Sequence, residues 1–327
     1  MKAWMLEAGT AALSLADVAE ASPGPHLGLA KEKAASLNRD EFLYGVGKIV
    51  AVQGAAQVKR CGMEAAGIVT AIGAGVTRYR VGDRIMGRAA GGFAEQTILD
   101  ERDSIPVPEG IDWIDAGSIP IAYAVAYDMI VPNGELKSGD TILITSVASG
   151  VGVACMQIAK ALGARTIGTS GSATKLEALR KAGLDESVMT RGADFVDAVK
   201  RFTDGKGVQL AINNVGGSIF ESLILSLSYM GRLALVGHVD GVKDSTINLD
   251  DVHSRRLKIF GVSNRLRTPE QRAATIDGFT RDMVPLIRSG KLKPLIDSVY
   301  SFEELPQALA RMRADAHVGK IVLRVGA

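Results

Sequence analysis

The run Thr141-Ile-Leu-Ile-Thr145, Ser146-Val-Ala-Ser-Gly-Val-Gly152 and Val153-Ala-Cys-Met-Gln-Ile-Ala-Lys160 carries the most legible chemistry of this chain. It reads as a short apolar strand, a turn of small residues and an amphipathic helix. That order presents backbone N–H groups and a helix N-terminus to an anion, an arrangement that grips a pyrophosphate. The turn keeps only part of a G-x-G-x-x-G fingerprint, with Val147 and Ser149 at the first two glycine places. Ser149, Gly150, Val151 and Gly152 are therefore the candidate phosphate grip for a dinucleotide. About twenty residues further on, a site for NAD carries an acid that binds the ribose hydroxyls. This chain instead has Thr169-Ser-Gly-Ser172 and then Lys175. The missing acid and the nearby cation favour a 2′-phosphate. Ser170, Gly171, Ser172 and Lys175 thus point to NADP(H), with Arg191 as a second candidate cation. The plainer alternative makes Ser170 and Ser172 ordinary helix caps and Arg191 a solvated surface residue.

The elements that position these residues follow from periodicity. Strand-like segments at 141–145, 165–169, 208–212, 232–236 and 257–260 alternate with helical spacing at 151–162, 174–182, 194–202 and 217–227. Such alternation predicts a doubly wound parallel sheet with helices on both faces. Ligands in these sheets lie at the carboxyl ends of the strands, which adds Val215, Gly237, Val262 and Asn264 as candidate cofactor contacts. The first ~120 residues read instead as β-rich, with strands expected at 66–73, 75–85 and 91–99 and an extended, proline-stiffened connection at 105–110. A long helix is expected near 269–289, and the closing strand 320–325 could return to the N-terminal sheet. The expected architecture is an α/β Rossmann domain at 122–264 inserted into a β-rich domain formed by 1–121 and 265–327.

Composition narrows the classes of function. A chain of 327 residues is too long for one compact core. Aromatics at 5% argue against a stacking surface for nucleic acid, and a net charge of +2 argues against an anionic partner. Neither nucleic acid nor a membrane is expected as a partner. Cys61 and Cys155 are too far apart for a zinc-type spacing and form no disulfide framework, which fits a reducing cytoplasm. Charge interrupts the N-terminal residues too soon for a signal peptide, and no stretch reaches the roughly 18 apolar residues of a spanning helix. A cytoplasmic location is the expectation.

Taken together, several motifs resemble the medium-chain dehydrogenase/reductase superfamily, in its zinc-independent quinone oxidoreductase-like branch. They are Ala34-Ala-Ser-Leu-Asn-Arg-Asp40, Cys61-Gly-Met-Glu-Ala-Ala-Gly67, Val81-Gly-Asp-Arg-Ile85 and Gly92-Phe-Ala-Glu95. Leu136-Lys-Ser-Gly-Asp140, Asn214-Val-Gly-Gly217, Met230-Gly-Arg-Leu233 and His317-Val-Gly-Lys-Ile-Val322 continue the pattern. The resemblance implies that the β-rich domain is GroES-like. It also implies hydride transfer from NADPH to a small electrophilic acceptor, a quinone or an activated C=C bond, with two chains pairing as a homodimer.

Zinc-dependent members of that family hold a catalytic metal with a cysteine, a Gly-His-Glu histidine and a later cysteine or acid. The first place here falls in Ala35-Ser-Leu-Asn38 and the second at Met63, so no metal site is expected. His26, His238, His253 and His317 share no ligand spacing. Catalysis would then rest on holding donor and acceptor together and on a polar group that meets developing charge. Asn38, matching the family's asparagine after Ser-Leu, is the candidate for that contact, and a turn residue closing a strand is the alternative. Tyr44 on the same loop is a candidate hydrogen-bond or proton donor. Glu64 and Asp83 read as structural charges in β-turns, and Tyr127 as core packing. Val125 stands where relatives often have threonine, and the loop 41–47 departs from the common pattern. Two further readings stay open: a reductase of an enoyl thioester or halogenated acrylate, and a non-catalytic, crystallin-like NADP(H)-binding protein.

Overall fold

The computed structural model describes residues 1–7, 12–39 and 58–326. Its strands open with β1 (Lys2–Glu7), β2 (Leu13–Asp17), β3 (Leu27–Ser36), β4 (Val58–Arg60), β5 (Glu64–Ile72), β6 (Arg84–Ala89) and β7 (Gln96–Pro106). Helices α1 (Trp113–Gly117) and α2 (Pro120–Ile130) follow. An alternating stretch comes next: β8 (Thr141–Ile144), α3 (Gly150–Ala161), β9 (Arg165–Ser170), α4 (Ala173–Lys181), β10 (Glu186–Met189) and α5 (Val196–Phe202). It continues with β11 (Val208–Asn213), α6 (Phe220–Ser226), β12 (Leu227–Leu235), α7 (Leu249–Ser254) and β13 (Lys258–Gly261). The chain closes with α8 (Pro269–Arg288), β14 (Ile296–Ser301), α9 (Leu305–Arg313) and β15 (Lys320–Arg324).

Contacts divide the chain into two compact units, Met1–Ala124 with Thr268–Ala327, and Val125–Arg267. In the first unit the sheet runs β14-β15-β3-β5-β6-β7, and an additional β3–β7 pairing closes β3, β5, β6 and β7 into a ring. This is a GroES-like arrangement. β15 does return to the N-terminal strands, pairing antiparallel with β3 so that Leu323 faces Ala35. Its core gathers Trp4, Leu6, Phe93, Leu99, Phe302, Leu305 and Leu309. Trp4 donates its indole N–H to the Phe302 carbonyl at 2.9 Å, which fastens β1 to the C-terminal segment.

Two expected strands end differently here. Residues 75–83 form a loop because the Glu101 carboxylate accepts from the amides of Thr77 at 2.7 Å and Arg78 at 3.1 Å, bonds that a ladder would otherwise use. β7 starts at Gln96 rather than Gly91, since the amides of Gly91 and Gly92 both bond the Gly62 carbonyl at 2.9 Å. Glu64 also differs from its reading as a turn charge. It opens β5 and is fully buried, because a specific set of donors surrounds its carboxylate.

The second unit is a six-stranded parallel sheet in the order β10-β9-β8-β11-β12-β13. Numbered within the unit, that order is the Rossmann 3-2-1-4-5-6, with its switch point between β8 and β11. Leu143, Ile167, Phe195, Val199, Ala211, Leu223 and Leu233 pack its core. β10 supplies the third strand ahead of Arg191, and the helical segment expected at 217–227 begins as a 3₁₀ turn, Gly217–Ile219, before α6. Among the described residues no helix is long and apolar enough to cross a membrane.

Glu32, on β3, is buried with both carboxylate oxygens lacking a hydrogen-bond partner. Burial pushes its pKa well above 4.5, and the Arg60 charge offsets only part of that. Because the native pKa is raised, its contribution to stability is full below the unfolded value and is lost as pH rises through the native one. Replacing Glu32 by Met should stabilise the protein by about 1–3 kcal/mol near pH 8. The gain should shrink toward pH 4.5. Urea unfolding at the two pH values checks this, and an equal gain at both would contradict it.

Candidate functional site

The turn between β8 and α3 is built by short-range bonds. Ser146 adopts a positive φ of 49°, and the Val147 amide crosses to the Thr169 carbonyl at 3.0 Å. Ser149 caps α3, its hydroxyl accepting from the Gly152 amide at 3.0 Å. A Cβ on Gly152 would come within 2.5 Å of the Ser146 carbonyl oxygen, so only glycine lets the helix start this close to the turn. With Ser149 and Gly152 engaged, the first-turn amides of Gly150 and Val151 have no intrahelical acceptor, and both residues are half-buried. Two such amides at a helix N-terminus are the arrangement the sequence led one to expect for a phosphate grip.

At the end of β9 the structure brings together the residues expected to choose the ligand. Ser172 caps α4, accepting from the Lys175 amide at 3.4 Å, and its own amide donates to the Ser170 hydroxyl at 3.3 Å. The Thr190 amide bonds the Ser170 carbonyl at 3.0 Å, which carries the chain after β10 past Gly171. Arg191 lies directly over that glycine, where any side chain would collide with its methylenes. Ser170, Gly171, Ser172, Lys175 and Arg191 therefore form one cluster. Helix capping and clustering coexist there. Asp194, in the same loop as Arg191, accepts from the Thr190 hydroxyl.

The switch point is stitched by residues that sequence reasoning had not assigned. The Thr145 hydroxyl donates to the Ile212 carbonyl at 2.9 Å and accepts from the Asn214 amide at 3.0 Å. Asn213 folds the next turn, its side-chain Oδ1 accepting from the amides of Val215 at 3.0 Å and Gly216 at 2.9 Å. Of the Val215 backbone, expected to line a ligand track, the N–H is taken by Asn213 and the carbonyl accepts from the Asp240 amide at 3.1 Å. Val262 is buried, and its N–H bonds the Leu235 carbonyl at 3.2 Å. Gly237 and Asn264 sit half-buried after β12 and β13, and the Asn264 side-chain oxygen accepts from Arg267 at 3.3 Å. Burial alone would raise the Asp240 pKa, but hydrogen bonds from Ser218 and the Val242 amide hold it below the usual carboxylate range. That anion clips the loop after β12 to the turn after β11.

In the first unit, Asn38 follows β3 and joins a buried network. Its Nδ2 donates to Glu64 Oε1 at 2.7 Å, and its Oδ1 accepts from Lys320 Nζ at 3.0 Å. Lys320 also donates to Glu64 Oε1 at 2.9 Å and to the Leu37 carbonyl at 2.9 Å. The Ser36 hydroxyl reaches the same Glu64 oxygen at 2.6 Å, while the Ile121 amide in the first turn of α2 donates to Oε2 at 2.7 Å. Sequence reasoning had read Glu64 as a turn charge and had given Lys320 no role; a charge beside an apolar strand run is the signal that marks each. Tyr44 lies outside the described residues. Tyr127 is buried, as core packing requires, and Asp83 accepts from the Arg80 amide at 2.9 Å in a turn.

These residues do not fit a catalytic zinc. The site would need three nitrogen, sulfur or oxygen ligands. Met63 is a soft thioether, and the Glu64 oxygens are consumed by the donors above. Among the described residues no three His, Cys, Asp or Glu side chains stand together to hold a metal ion.

Comparison with known proteins follows the same outline. Residues 24–109 match the alcohol dehydrogenase GroES-like domain, and residues 150–277 match the zinc-binding dehydrogenase domain. The chain belongs to the medium-chain dehydrogenase/reductase superfamily, in its quinone oxidoreductase-like branch. It is 31% identical over 305 residues to a mycocerosic acid synthase-like polyketide synthase of Mycolicibacterium smegmatis, covering 93% of this chain but only 14% of that protein. A mycobacterial quinone oxidoreductase superposes with a TM-score of 0.85 at 25% identity, covering 99% of each chain. A mycobacterial protein solved with NADPH superposes at 0.86 and 24% identity, again over 99% of each chain.

Gly152→Ala should cost about 1–3 kcal/mol through the clash with the Ser146 carbonyl. Gly261→Ala is the control, since nothing lies within 4 Å of a Cβ there. Urea unfolding of both variants checks this, and equal midpoints would contradict it.

Proposed function

We propose that this protein is an NADPH-dependent reductase of a quinone or of the activated C=C bond of an α,β-unsaturated carbonyl, working without a metal. The observation that carries the reading is the cluster of Ser170, Gly171, Ser172, Lys175 and Arg191 at the carboxyl ends of β9 and β10. Two hydroxyls, a glycine and two cations suit a 2′-phosphate, and no carboxylate stands at the end of β9 to bind ribose hydroxyls. The cradle at Ser149–Gly152 suits the pyrophosphate through the amides of Gly150 and Val151. The NADPH held by the mycobacterial neighbour is consistent with this cofactor. When bound, NADPH supplies a hydride equivalent to the acceptor.

What the chain's own residues do is orient and stabilise. Asn38 Nδ2 has one hydrogen on Glu64, and no described residue accepts the second. That second N–H is the donor offered to the acceptor's carbonyl oxygen as negative charge develops there. The donor set around Met63 leaves polarisation by a metal without ligands, which directs the chemistry to acceptors that are already electrophilic. Enoyl thioesters are a second acceptor class, favoured by the likeness to a polyketide synthase. Pairing into a homodimer is supported by β13, an edge strand on which Ile259 is 38% exposed.

Following nicotinamide absorbance with quinones, 2-alkenals, enones and enoyl thioesters tests the reaction. Turnover with NADPH is expected, and none with any acceptor would sink the reading. Lys175→Ala and Arg191→Ala should each lower the NADPH-over-NADH preference by roughly tenfold, since each removes one charge contact of about 1–2 kcal/mol. An unchanged preference in both places the phosphate elsewhere. Sedimentation should show a dimer that Ile259→Lys weakens, and a monomeric wild type would refute the pairing.

A further inference from the structure

The geometry points to Glu64 and Lys320 as a positioning pair that fixes which way the Asn38 amide faces. This rests on the reading of Asn38 as the donor to the acceptor's oxygen. An asparagine amide has two chemically opposite ends, and a rotation of half a turn exchanges them. Lys320 Nζ carries only donors, so the Asn38 atom 3.0 Å away must be the oxygen. Glu64 Oε1 accepts from Lys320 and Ser36, so the Asn38 atom 2.7 Å away must be the nitrogen. A flipped amide would set its NH2 against the ammonium and its oxygen against the carboxylate. Both contacts would turn repulsive inside a site where Glu64 is fully buried and Lys320 is 4% exposed.

The pair is itself held on both sides. The Leu37 carbonyl takes a second Lys320 proton at 2.9 Å, and the Ile121 amide holds the other Glu64 oxygen at 2.7 Å. The pair therefore cannot turn to follow Asn38, and Asn38 must follow the pair. With one Nδ2 hydrogen committed to Glu64, the direction of the other is set by the planar geometry of the amide. Lys320 and Glu64 never need to touch an acceptor to influence its reduction.

A double-mutant cycle separates positioning from general stability. The pair is removed together as Glu64→Gln with Lys320→Met, so that no unpaired charge stays buried. This variant is made in the wild type and in Asn38→Ala, with kcat, KM, the NADPH dissociation constant and the melting temperature measured for each. Loss of Asn38 should lower kcat roughly a hundredfold. Loss of the pair alone should lower kcat at least about tenfold with the NADPH dissociation constant within about twofold, and should lower it no further in Asn38→Ala. Should that replacement fail to fold, Glu64→Gln with Lys320→Gln keeps polar contacts yet offers either end of an amide to Asn38, and should show the same dependence on Asn38.

Hydrogen exchange of the Asn38 side-chain amide, assigned in NMR spectra by its loss in Asn38→Ala, gives a readout independent of turnover. Its protons should be inequivalent in the wild type and should exchange at least about tenfold faster without the pair. Additive losses of kcat, or unchanged amide exchange in the pair variant, overturn the positioning role while leaving the reductase reading intact. Absence of turnover in the wild type overturns the reductase reading alone, because amide exchange still reports whether the pair orients Asn38.

Discussion

A buried carboxylate is costly unless donors meet it, and the set of donors that meets Glu64 organises the first unit. Its donors come from four separate places in the chain: Ser36 at the end of β3, Asn38 just after it, Lys320 at the start of β15 and Ile121 in α2. Each donor fixes an element that local propensity alone would leave loosely placed. β15 is held against β3 not only by its ladder but by an ammonium reaching the Leu37 carbonyl and the Glu64 carboxylate. Removing one charge of such a pair strands the other in a dry interior, at a cost of about 3–5 kcal/mol. The same donors set the two ends of the neighbouring asparagine amide against opposite partners.

The second unit depends on a different economy, in which backbone groups at the carboxyl ends of the strands are either spent or left open. Thr145 and Asn213 spend the groups around the switch point, tying β8 to β11 and closing the Val215–Gly216 turn. Ser149 and Ser172 spend one amide each at the starts of α3 and α4. The first-turn amides of Gly150 and Val151 have no intrahelical acceptor, and beside the next strand Lys175 and Arg191 bring two positive charges to the end of β9. The proposed cofactor, a phosphorylated dinucleotide, carries negative charge at two points that would match these two places.

Much of this was legible in the residues. The parallel sheet, the partial glycine turn and the cluster after β9 were all written in short-range patterns that survive without tertiary information. The return of β15 to the N-terminal strands was legible as well, because an apolar strand at the chain's end needs a sheet to join. What escaped were interactions between residues far apart in sequence. Nothing near Glu64 announces Lys320, which lies 256 positions later, so a buried ion pair read as a turn charge. Val215 and Val262 looked like open backbone at strand ends, but Asn213 and the Leu235 carbonyl had claimed their amides. The loop at 75–83 alternated like a strand, yet a distant carboxylate, Glu101, took its hydrogen bonds.

The amides of Gly150 and Val151 and the two cations after β9 and β10 are assigned to one phosphorylated dinucleotide. The most direct measurement is a titration of the wild-type protein with NADPH and with NADH at low and moderate salt. Binding of NADPH should be at least about tenfold tighter at low salt, and the advantage should narrow as salt screens the cations around the 2′-phosphate. Equal affinity for the two nucleotides, or an advantage indifferent to salt, would contradict the assignment.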